Sequence, residues 1–76
     1  MRKVAIDTEY IKLGQLLKLA DMVSQGSEAK LLIQEGLVCV NGQGVYERGK
    51  KVYPGDRVSI SDPDLAGEVE VEGGKS

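Results

Sequence analysis

The residues best equipped for chemistry in this sequence are cations. Lys12 and Lys18 fall in one apolar-periodic stretch, Lys30 falls in a second, and Arg48-Gly49-Lys50-Lys51 forms a basic run. Lysines offer mobile point charges to phosphate oxygens, and an arginine can fork onto one phosphate through two parallel hydrogen bonds. Covalent chemistry has far less to work with. The chain has no His, the usual proton shuttle near neutral pH. Cys39, the single cysteine, has neither a disulfide partner nor the ligand set of a thiolate metal cage. Asp21, Glu28, Glu35 and Asp56 fall at capping, helix-surface or turn positions rather than as a facing acid–base pair. No glycine-rich phosphate loop with its Lys-Ser/Thr pair is present. The expectation is a binding protein, not an enzyme, without cofactor or metal.

The formal net charge of −2 over 76 residues argues against a polyanion partner until its distribution is considered. Asp62, Asp64, Glu68, Glu70 and Glu72 crowd the end of the chain, opposed there by Lys75, and the body before residue 58 is mildly basic. Local potential, rather than the sum, decides where a polyanion docks.

The cations need elements to hold them. Leu13, Leu16, Leu17 and Ala20 follow i, i+3, i+4, i+7 and predict a helix from Ile11 to Val23. Gly14 weakens its start by up to about 1 kcal/mol relative to Ala. Ser27 is expected to cap a second helix with Glu28 in its first turn, and Ala29, Leu32 and Ile33 form its inner face. Gly36 sits where a left-handed C-terminal cap belongs, with Leu37 folding back. The period then changes to two. Val38 and Val40 lead into an Asn41-Gly42 turn, where positive φ is expected, and Val58 and Ile60 follow a Tyr53-Pro54-Gly55-Asp56 turn. Val4 and Ile6 read as an edge strand, and so do Val69 and Val71, whose alternating acids would discourage aggregation. Tyr10 and Tyr53 are expected to pack half-buried. The fold class is α+β: two short packed helices followed by a small, mostly antiparallel sheet. No apolar stretch reaches the length of a membrane span or a signal peptide, so the expectation is a cytoplasmic protein with no membrane partner.

Lys12-Leu13, Leu16-Leu17, Ser27-Glu28-Ala29-Lys30, Leu32-Ile33, Gly36, Val38, Val40-Asn41-Gly42 and Pro54-Gly55-Asp56, taken in order, resemble the S4-like RNA-binding domain and its alpha-L motif. Ile6 to Gln15, with Arg48-Gly49-Lys50-Lys51, is similar to a small stand-alone bacterial branch of RNA-binding or ribosome-maturation proteins. The resemblance implies one domain over residues 1–72, with its motif core at 11–60 and a flexible tail at 73–76. It implies RNA contact through Lys12, Lys30, Arg48, Lys50 and Lys51 on a surface formed by the helix pair and the hairpin. The family pattern has an Arg where this chain has Lys12, an Asp at Gly14 and a further Arg at Gly26, so one helix cap and one cation are expected to be missing. Without Phe or Trp there is little stacking platform for single-stranded bases, and shape recognition of a structured RNA fits better. The implied partners are ribosomal RNA or an assembly intermediate, with ribosomal proteins beside it, bound by a monomer. The alternative is a protein-interaction module that keeps the scaffold and has weak or lost RNA affinity.

Overall fold

Residues 2–61 and 67–74 are described by the computed structural model. Asp62, Asp64 and the Lys75-Ser76 part of the expected tail lie outside the described residues. Val4 and Ile6 turn their side chains inward from the first strand, β1 (Arg2–Ile6). After a loop, β2 (Ile11–Lys12) leads directly into α1 (Leu13–Leu19), and α2 (Gly26–Gln34) follows. The remaining strands are β3 (Val38–Val40), β4 (Gln43–Gly44), β5 (Lys51–Val52), β6 (Arg57–Ile60) and β7 (Gly67–Gly73). One sheet has the order β1-β7-β6-β3-β4, antiparallel except for the parallel β1–β7 pair, and β2 pairs with β5 in a second, two-stranded sheet.

The α+β class and the packed helix pair agree with the sequence pattern. Leu13, Leu16 and Leu17 of α1 and Ala29, Leu32 and Ile33 of α2 join Val38, Val58, Val69 and Val71 of the large sheet in one core cluster. Side chains alternate across a strand, so the same alternation that buries Val69 and Val71 sends Glu68, Glu70 and Glu72 to the other face. The helices therefore cover one face of the sheet and the acids occupy the opposite one. Arg57 and Lys3 flank Glu70 in register there, with Arg57 Nε 3.9 Å from Glu70 Oε1.

Three expectations are corrected. α1 covers seven residues rather than the stretch Ile11–Val23. Its start is shortened because Ile11 and Lys12 pair with Val52 and Lys51. Its end is set by Asp21, which takes a left-handed φ of 60°. The Asp21 N–H donates to the Lys18 carbonyl (3.0 Å) and the Met22 N–H to the Leu17 carbonyl (2.9 Å). This is the paired bonding of a Schellman cap, with Met22 and Val23 folding back onto the core instead of extending the helix. Second, α2 begins at Gly26 with Gln25 as its N-cap, so Ser27 lies inside the first turn. The end group is Glu28, whose Oε1 accepts from the Ser24 N–H at 2.8 Å. Third, β7 is an interior strand: β1 covers its second side, with Val4 opposite Val71. Alternation specifies which face a strand buries and leaves its neighbours unspecified.

At the end of α2 the expected cap is present. Gly36 has φ +76°, its N–H donates to the Ile33 carbonyl (3.1 Å) and the Leu37 N–H donates to the Leu32 carbonyl (3.1 Å). Asn41 and Gly42 both have positive φ, 53° and 84°, as a tight primed hairpin turn requires. At the other end of the chain, the Gly74 N–H donates to the Ile6 carbonyl (2.6 Å), just past β7.

Candidate nucleic-acid interface

The first N–H groups of a helix have no partner within it. In α1 two of them are satisfied by the basic loop: Leu13 N–H donates to the Lys50 carbonyl (2.9 Å) and Gly14 N–H to the Arg48 carbonyl (3.1 Å). The absent family Asp at position 14 thus leaves no open cap, because loop carbonyls take its place. Gly14 also permits the approach itself. A Cβ there would lie 2.7 Å from Arg48 Cγ. Backbone bonding therefore draws Arg48 and Lys50 to Lys12, and the β2–β5 register sets Lys12 directly opposite Lys51.

The result is an open groove of about 400 Å³ lined by Lys12, Gly14, Gln15, Lys18, Arg48 and Gly49, with Gly26 at the start of α2 completing it. Lys12, Lys18 and Arg48 are exposed. Among the described residues the one ion pair joins Arg57 to Glu70 on the far face of the sheet, so none of the groove cations is held in an ion pair there. The N-terminal end of α2 adds its partial positive charge, in part offset by Glu28. Directly opposed like charges in a strand pair oppose folding by a fraction of a kcal/mol to about 1 kcal/mol. Lys51 is partly compensated, since its Nζ lies 5.0 Å from the centre of the Tyr10 ring. Lys12 has no such partner among the described contacts.

Of the residues selected from the sequence, Lys12, Arg48, Lys50 and Lys51 are brought together around this loop. Lys50 and Lys51 open on its other side, onto a hollow beside Tyr53. Lys30 stands apart: it is exposed on α2, one turn beyond Gly26, and does not line the groove. Lys18 and Gln15 are groove residues that the family pattern does not single out. Their signal is positional, since Lys18 lies one helical turn after Gly14 and hence on the same side of α1. Tyr10 is half-buried, as expected, with its ring 5.8 Å from that of Tyr53 and tilted by 51°. Tyr53 is more open, at 42% exposed.

Comparison with known proteins places the chain in a family. The chain is 49% identical over 57 residues to the probable ribosome maturation protein RlbA of Bacillus subtilis (strain 168), covering 75% of this chain and 80% of that protein. Residues 4–72 match the S4 domain family, which therefore takes in both helices, the basic loop and nearly all of the large sheet. The chain belongs to the S4 domain family, a family of non-catalytic RNA-binding modules.

Proposed function

We propose that this protein binds structured RNA through the groove between α1 and the basic loop, and that its target is ribosomal RNA or a ribosome-assembly intermediate in the cytoplasm. The observation that carries the reading is the gathering of Lys12, Lys18, Arg48 and Lys51 around one loop, with two lysines opposed across strands and none of the four in an ion pair among the described residues. A polyanion relieves that repulsion. The acids of β7 occupy the opposite face of the sheet, so they leave the groove open. The name of the Bacillus subtilis relative supports the ribosomal part of the reading. Binding is by a monomer and involves no covalent step.

The substitutions Lys12→Glu and Lys18→Glu together test the surface. Both residues are exposed, so the melting temperature should stay within a few degrees while affinity for an RNA hairpin falls at least about tenfold. Unchanged affinity at low salt removes this groove from the reading. Ultraviolet crosslinking in cells, followed by RNA sequencing, tests the target: enrichment of ribosomal RNA is expected, and crosslinks confined to other RNAs overturn that assignment. A protein contact beside the RNA is favoured by Leu19, which is 58% exposed and shares a shallow hollow with Ile11, Gln15 and Lys18.

A further inference from the structure

The loop that walls the groove also walls a second, smaller hollow. It lies between the Asn41-Gly42 turn and the Tyr53-Asp56 turn, has a volume of about 280 Å³, and is lined by Gln43, Val45, Lys50, Lys51 and Tyr53, with Asn41 and Asp56. That volume falls just under the range of about 300–1,000 Å³ usual for small-molecule pockets, which suits one nucleotide and is far too small for a duplex.

Its walls are set by bonds between the two turns. Asn41 Nδ2 donates to Asp56 Oδ1 (3.0 Å), Asn41 Oδ1 accepts from the Arg57 N–H (2.9 Å), and Asp56 Oδ2 accepts from the Tyr53 N–H (2.9 Å). Tyr53 is consequently held from its backbone, and its ring is braced by Tyr10 while remaining 42% exposed. Gln43, exposed on β4, makes no side-chain hydrogen bond among the described residues. The hollow thus combines an open aromatic ring and Val45 for the flat side of a base, an uncommitted amide for its edge, and two ammonium groups for the adjoining phosphates. The Lys12–Lys51 pairing sets a residue of its wall directly opposite a residue of the groove.

We propose that this hollow takes a single unpaired nucleotide of the RNA whose helical part lies in the groove, so that the preferred target is a duplex carrying a bulge. The inference rests on the RNA reading above and adds a site to it. The absence of Phe and Trp leaves stacking to tyrosine rather than abolishing it.

Two RNA hairpins that differ by one bulged adenosine provide the test, with affinity followed by fluorescence anisotropy at fixed salt. The protein should prefer the bulged hairpin by about tenfold, toward the lower end of what stacking one base on an aromatic side chain contributes. Tyr53→Leu and Gln43→Ala should each reduce that preference while leaving affinity for the perfect hairpin unchanged. A 2-aminopurine at the bulge should lose fluorescence on binding the native protein and retain it with Tyr53→Leu. Equal, tight binding of both hairpins overturns the nucleotide site and leaves the groove reading standing. A preference that survives both substitutions also overturns it. Failure to bind either hairpin overturns the RNA reading and this inference with it.

Discussion

Gly26 lines the groove with a hydrogen where the resembled family carries an arginine. A Cβ added there would meet nothing within 4 Å, so the space for a longer side chain already exists. Gly26→Arg should therefore raise affinity for structured RNA several-fold at low salt. It should also steepen the fall of log affinity with log salt by about 0.7 to 0.9, the counterion release of one further phosphate contact. An unchanged salt slope would show that Gly26 lies off the RNA path. This departure was visible in the sequence, and so were the cations of the 48–51 loop. What the sequence concealed was the role of Gly14: it reads as a weak helix former, whereas its value lies in the approach of Arg48. Close approach between segments more than thirty residues apart leaves no periodic signal.

At the scale of elements, helix ends were legible where a glycine marked them and illegible where another residue did the same work. Gly36 closes α2 as its type and position indicate. Asp21 closes α1 in the same left-handed region, and the apolar residues after it disguise the stop as a continuing stripe. Holding a non-glycine residue there costs roughly 1–2 kcal/mol, offset in part by the wider freedom of glycine in the unfolded chain. Asp21→Gly should raise unfolding free energy by up to about 1 kcal/mol, read as a higher denaturant midpoint with an unchanged slope. A lower midpoint would mean that the aspartate side chain supplies more than its backbone costs. The short β2–β5 pair was likewise illegible, because two-residue strands carry no alternation to detect.

For the molecule as a whole, net charge is a poor guide to its partner. The formal charge of −2 averages over local differences, among them the acids of β7 on the outer face of the sheet and the cations around α1 and the basic loop. If Lys12, Lys18, Arg48 and Lys51 each meet one phosphate, log affinity should fall with log salt at a slope of about −3 to −4. A mobility-shift series across salt concentrations measures it, and a slope near zero would detach binding from these cations. The fold class and the helix–hairpin order were readable from the change of hydrophobic period at Gly36. The strand order was not, since nothing local announces that Arg2–Ile6 will lie beside Gly67–Gly73.

That parallel pairing has a consequence for how the molecule comes into being. Val4 and Ile6 are made well before the neighbour that completes their side of the sheet. A nascent chain halted before β7 would keep both β1 and β6 with an open edge and a wet inner surface. Closure of the sheet thus waits until β7 has been made, and its speed is limited by the search that brings β1 to β7.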